Sequence, residues 1–176
     1  VPLYVKTYMQ RLDGITLKLG DVLYAKKDSK GQISEMIVKN ATGDMYSYGI
    51  VTSVTKGNEN ISSTATIESN GTTYTVSGMQ GMSVGTPVKF VKDGAKVDFA
   101  SNLKAVEGGV SQLETGYAVI GGDRYILSSD VEVYEKSGTR YMRISISDAI
   151  EGNYRYDCYT DSTTGTRVRV IVATKR

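Results

Sequence analysis

Turn signals punctuate this chain at spacings near ten residues, several of them glycine-bearing dipeptides with β-forming residues alternating on either side. The clearest is Asn70-Gly71 in ATIESNGTTYTVSG (Ala65–Gly78). A type I′ turn needs positive φ at both central residues, which Asn and Gly tolerate best, and its twist matches that of two paired strands. TPVKFVKDGAKVDFA (Thr86–Ala100) repeats the pattern around Asp93-Gly94, with Pro87 at a strand start, where no ladder N–H is needed. GYAVIGGDRYILSS (Gly116–Ser129) turns at Gly121-Gly122, and DVEVYEKSGTRYMRISIS (Asp130–Ser147) at Ser137-Gly138. GITLKLGDVLYAKK (Gly14–Lys27) breaks at DSKG (Asp28–Gly31) and resumes as QISEMIVKN. YSYGIVTSVTKG (Tyr46–Gly57) reads as a strand, and NYRYDCYTDSTTGTRVRVIVATK (Asn153–Lys175) turns at DSTTG and ends in another. Such a chain predicts an all-β fold of two or three small antiparallel barrel- or sandwich-like modules built from hairpins. Helical spacing of apolar residues is nearly absent. The best short helical stretch is SNLKAVEGGVSQLE (Ser101–Glu114), which Gly108 and Gly109 interrupt.

One hairpin is written more than once. DVLYAKKDSKGQISEMIV from Asp21 parallels DVEVYEKSGTRYMRISI from Asp130. Past the turn, Met36 falls on Ile144, Val38 on Ile146, Ala41 on Ala149, Tyr46 on Tyr154 and Tyr48 on Tyr156. VGTPVKFVKDGAKV (Val84–Val97) is a shorter third version of LGDVLYAKKDSKGQI (Leu19–Ile33). The shared positions are turn glycines, strand apolars and tyrosines, and no reactive group recurs. The repeat is therefore architectural. It suggests an N-terminal hairpin segment over 1–43 that packs on a neighbouring module, a small barrel over 44–107, and a second β module over 108–176 related to the first segment.

Composition removes several functions. A net charge of +2 gives no electrostatic case for nucleic acid. No apolar run approaches the roughly 20 residues that span a bilayer as a helix. The opening VPLYVKTY has neither region of an export signal, so any such signal is expected to be absent or already removed. Histidine is absent, which removes the commonest general base and metal ligand. The single cysteine, Cys158, allows no internal disulfide and is expected to be a small core residue on its strand.

The 13 tyrosines, against 2 phenylalanines, suit half-wet strand faces. Tyr46 and Tyr48 lie two apart and share a face; so do Tyr154 and Tyr156. These four are the candidate binding residues, able to stack on sugar rings or on a partner's side chains, and the alternative is that they cover a barrel face. Acids such as Asp28, Asp44, Asp93, Asp123 and Asp161 sit in turns, where they usually accept hydrogen bonds from nearby backbone, so no catalytic pair is expected. KDSKGQISE (Lys27–Glu35) and TDSTTGTR (Thr160–Arg167) lack the ligand spacing of a calcium loop and read as turns; no metal or cofactor is expected. In RVRVIVATKR, Arg167 and Arg169 alternate with Val168, Val170 and Val172, which predicts a half-buried strand with a wet face.

NATGDMYSYGIVTSV (Asn40–Val54) and YDCYTDSTTGTRVRVIVATK (Tyr156–Lys175) resemble segments of β-rich modules in secreted Firmicutes proteins that carry S-layer homology domains. The S-layer homology motif itself, a largely helical repeat, is not present. The resemblance implies a non-enzymatic structural or interaction module at the cell wall or surface of a Gram-positive bacterium. Its partners would be a cell-envelope polymer or neighbouring protein modules. A carbohydrate-binding module using the paired tyrosines is the alternative function.

Overall fold

A computed structural model describes residues 3–4, 22–38, 46–78, 81–93 and 96–176. The start of the expected strand over 14–21, the turn residues Asp44 and Gly94, and the repeat positions Asp21 and Ala41 lie outside the described residues. The fold is all-β. Strands β1 (Leu3–Tyr4), β2 (Val22–Lys27) and β3 (Ile33–Val38) form a three-stranded antiparallel sheet in the order β1-β3-β2. In the loop between β2 and β3, Asp28 Oδ1 accepts the backbone N–H groups of Lys30 at 2.8 Å and Gln32 at 2.9 Å. That aspartate holds its own turn.

The next five strands close into a barrel. They are β4 (Ser47–Thr55), β5 (Thr64–Ser69), β6 (Thr72–Ser77), β7 (Pro87–Asp93) and β8 (Lys96–Asn102), in the order β4-β5-β6-β8-β7, with β7 pairing back onto β4. This is the connectivity of a five-stranded Greek-key barrel. The β5–β6 turn is Asn70-Gly71, at φ 49° and 77°. Val51, Ile67, Val76, Val88 and Phe90 fill the interior. Gly49 marks the tightest approach of β4 to β5, because a Cβ there would fall onto the carbonyl oxygen of Glu68.

The remainder forms a seven-stranded sheet from β9 (Lys104–Ala105), β10 (Val110–Leu113), β11 (Tyr117–Ile120), β12 (Asp123–Ser137), β13 (Arg140–Ile144), β14 (Tyr154–Thr160) and β15 (Arg167–Lys175). Its order is β10-β11-β12-β15-β14-β9, with β13 also on β12. Gly121-Gly122 turns between β11 and β12, placing Ile120 opposite Asp123. The β12–β13 turn falls on Gly138-Thr139, one residue later than the sequence suggests, because Ser137 still pairs with Arg140. The two hairpins expected over 116–129 and 130–147 share one strand, the 15-residue β12. β11 pairs with its first part and β13 with its last. Between them the register of β12 against β15 shifts from Leu127 to Glu132, so Ser128–Val131 bulge out of the ladder.

Two expectations are corrected. Ser101–Glu114 is not helical; it supplies the end of β8, β9 and β10. Gly108 sits at φ 105°, far from helical values, and a Cβ there would press on the backbone of Gly121. The helix found among the described residues is α1 (Ile146–Glu151), six residues long. It starts at a capping box, in which the Ser145 hydroxyl accepts the Asp148 N–H and the Asp148 carboxylate accepts the Ser145 N–H. Ala149 packs it onto the sheet beside Val133, Cys158 and Ile171.

The second correction concerns β15, which has no wet face. Val168 to Ala173 are buried without a break. Ile171 and Ala173 face the core that includes α1, while Val170 and Val172 face the barrel. The reason is topological: β15 lies between β12, which it pairs in parallel, and β14, in a sheet covered on both sides.

Gly49→Ala should destabilise the protein by about 1–3 kcal/mol through the clash with Glu68. Gly109→Ala, where a Cβ meets nothing within 4 Å, should stay within about 0.5 kcal/mol of the parent. Denaturant midpoints of the two variants check this.

Candidate functional site

β4 is buried on both sides over Tyr48–Val51. Val51 packs inside the barrel, while Tyr48 and Ile50 point out of it toward the sheet. There they meet Leu103, Tyr134, Val170 and Val172 in an apolar seam. Polar groups stitch the same seam. The Tyr134 hydroxyl of β12 donates across it to the Glu68 carbonyl of β5 at 3.0 Å. The Asn70 N–H at the β5–β6 turn donates to Glu132 Oε2 at 3.1 Å. Tyr48 donates its hydroxyl to Asp161 Oδ1 at 3.0 Å, and Arg169 Nε donates to Asp161 Oδ2 at 2.8 Å. The Arg169 guanidinium lies 4.8 Å from the centre of the Tyr48 ring, and its Nη1 donates to the Ser128 hydroxyl at 3.1 Å. Glu132 and Arg169 are the buried charged residues among those described, and both serve this junction.

Glu132 and Tyr134 are direct hydrogen-bond partners. Tyr134 Oη lies 2.5 Å from Glu132 Oε2 and also within bonding distance of the Glu68 carbonyl. A phenol has one proton and a carbonyl only accepts. When Tyr134 donates to Glu68, only a protonated Glu132 can complete the second contact. Burial pushes the Glu132 carboxyl up from its ordinary value, against the opposing pull of Tyr134, the Asn70 N–H and Arg143. Burial likewise raises Tyr134, with Glu132 beside it adding to the effect, so the phenol keeps its proton.

Beside the seam is a cleft of about 400 Å³. Tyr46, Ser47 and Tyr48 form one edge, with Ser69, Asn70, Thr72, Tyr74 and Lys92 completing the barrel side. The β12 bulge closes it with Ser129, Asp130, Val131 and Glu132, and Arg143 of β13 stands over Glu132 at 3.7 Å. The bulge brings Asp130 to the opening, where it accepts the Ser128 hydroxyl.

The four tyrosines singled out by spacing lie in two places. Tyr48 is 3 % exposed, so its ring offers no open face. Tyr46 is half-buried; Lys89 Nζ sits 4.8 Å from its centroid and Phe99 packs obliquely at 6.4 Å. Tyr154 and Tyr156 share a face, with centroids 6.3 Å apart, and pack on the sheet core. Tyr154 donates to the Glu135 carboxylate and Tyr156 to the Ala149 carbonyl at the end of α1. Sequence reading passed over Glu132, Tyr134, Tyr74 and Arg143. Glu132 and Tyr134 had a signal in the alternation Asp130-x-Glu132-x-Tyr134, polar groups on one face of a strand whose other face is apolar.

Cys158 is buried in the sheet core, and burial pushes its thiol up to about 12. Among the described residues, no group of three His, Cys, Asp or Glu side chains could hold a metal ion, and no helix is long and apolar enough to cross a membrane. No protein-family model, curated protein or solved structure matches the chain.

A carboxyl held above its unfolded value binds its proton more tightly in the folded state. Its stabilisation is complete below the unfolded value of about 4.3 and is lost as pH rises through the folded one. Unfolding measured from about pH 4 to 8 should show this fall, and Glu132→Gln should flatten it. Glu132→Ala should cost about 1–3 kcal/mol by leaving the Asn70 N–H without an acceptor and Tyr134 with the Glu68 carbonyl alone. The Cys158 thiol should ignore a thiol reagent in the native protein and react fully once the chain is unfolded.

Proposed function

We propose that this chain is a rigid, non-catalytic structural or interaction module of a bacterial cell-surface protein, of the kind associated with S-layer homology domains. The observation that carries the reading is the seam. The buried charges, Glu132 and Arg169, are engaged in joining barrel to sheet, together with the Tyr48 and Tyr134 hydroxyls. A catalytic centre needs titratable groups aimed at a substrate. A module that displays surfaces at a fixed angle needs its units locked, and these groups lock them. The resemblance of Asn40–Val54 and Tyr156–Lys175 to envelope modules supplies the location, at a Gram-positive cell wall. The partners would be a wall polymer or neighbouring modules.

Calorimetry should show barrel and sheet melting in one transition, with calorimetric and van't Hoff enthalpies in agreement. Protease treatment of intact cells carrying the protein should remove it. Two separate transitions, or a hydrolase or transferase activity lost in a point variant that still folds, would overturn the reading.

A further inference from the structure

The cleft beside the seam has a composition that the junction does not require. Its volume of about 400 Å³ lies within the range of ligand pockets, roughly 300–1,000 Å³. Val131 is the sole aliphatic residue among its described lining, so it does not suit a lipid or another apolar ligand. Its lining mixes signs, Lys92 and Arg143 with Asp130 and the titratable Glu132, so it holds no cluster of one sign that would select an ion. Three tyrosines line it; Tyr48 is buried, and Tyr46 and Tyr74 are the half-buried pair. Tyr74 is braced behind by Phe90, with centroids 5.2 Å apart, and Lys92 Nζ lies 3.2 Å from its hydroxyl.

Glu132 supplies the observation that the seam leaves over. Its side chain is 7 % exposed, yet only Oε2 is engaged: with the Asn70 N–H, with Tyr134 and, at longer range, with Arg143. Oε1 accepts no hydrogen bond from any described residue. A buried carboxyl oxygen without a donor is costly, and a hydroxyl entering the cleft would supply one.

We propose that this cleft binds a neutral sugar residue. Glu132 Oε1 accepts one of its hydroxyls, Arg143 and Asn70 hydrogen-bond around the ring, and Tyr74 packs against it. A polyhydroxylated neutral ring matches each property at once: many donors and acceptors, no net charge, and C–H faces that lie well on an aromatic side chain. The proposal rests on the reading of the chain as an interaction module and adds a site to it. That site differs from the tyrosine pairs visible by spacing. Tyr46 works with Tyr74 of β6, and Tyr48 is buried beneath.

The test is a titration of the ¹⁵N-labelled chain with soluble cello-, manno- and N-acetylglucosamine oligosaccharides, and with an oligogalacturonate as a charged probe, each to about 10 mM, a concentration that detects millimolar binding. At least one neutral sugar should shift the amides of Ser47, Asn70, Thr72 and Arg143. Arg143→Ala should weaken that binding roughly tenfold or more. Arg143 is 46 % exposed, so this variant should fold. Tyr74→Ala should do the same, and Arg143→Ala alone carries the test if Tyr74→Ala fails to fold. Absence of shifts with every neutral sugar, shifts confined to other surfaces, preference for the oligogalacturonate, or unchanged binding in Arg143→Ala would each overturn the proposal. A single melting transition without sugar binding removes the site and leaves the rigid module. Sugar binding with two separate transitions does the reverse.

Discussion

The short hydrogen-bonded chain from Glu132 through Tyr134 to the Glu68 carbonyl sets how the barrel meets the sheet. Apolar burial around Tyr48, Ile50, Val170 and Val172 draws the two units together, but it is not directional and would accept several orientations. A hydrogen bond in a dry seam accepts few. Tyr134 finds the Glu68 carbonyl and Glu132 finds the Asn70 N–H only when the β5–β6 turn sits over the last part of β12. The bulge at Ser128–Val131 follows from the same demand. β12 must pair with β11 at one end and with β13 at the other while presenting Glu132 and Tyr134 to the barrel, and the extra residues absorb the mismatch.

Much of the fold was legible because turn chemistry is local. Asn70-Gly71 and Gly121-Gly122 specify their hairpins within a few residues, and the alternation around them needs no knowledge of the rest of the chain. The misread segments are those whose environment is set from afar. RVRVIVATK looks half-wet in isolation because arginine reads as solvent-facing. Only the tertiary structure buries Arg169, against Asp161, Ser128 and the Tyr48 ring. The helix was missed for the opposite reason. Ser145 and Asp148 are a local signal, but six residues are too few for an apolar periodicity to register. The candidate site was hardest of all, since Asn70, Tyr74, Glu132 and Arg143 come from four separate elements. Spacing found Tyr46 and Tyr48, which lie at its edge, but could not say that the second ring is covered.

The repeated hairpin is a lesson in context. Its three versions fold as β2 with β3, β7 with β8, and β12 with β13, each an antiparallel pair. In the barrel version, Val88 and Phe90 turn inward to a small apolar core. In the last version, the corresponding strand carries Glu132 and Tyr134 and faces another unit. The same backbone unit therefore acts as barrel wall in one place and as joint in another, and the difference lies in which side chains occupy one face.

The central position of β15 also governs how the sheet is made. Its partner β12 runs parallel to it, so the chain must pass through β13, α1 and β14 before the two can meet. Until β15 arrives, β12 and β14 have no shared neighbour, and the residues that will form the core under α1 have nothing to close against. Hairpins can form early and independently, but the sheet is completed only by pairings distant in sequence, whose loop-closure entropy is lost before their contacts are gained. Such a topology is expected to fold in two parts, local turns first and then the long-range pairing of β12 with the strand that carries Arg169.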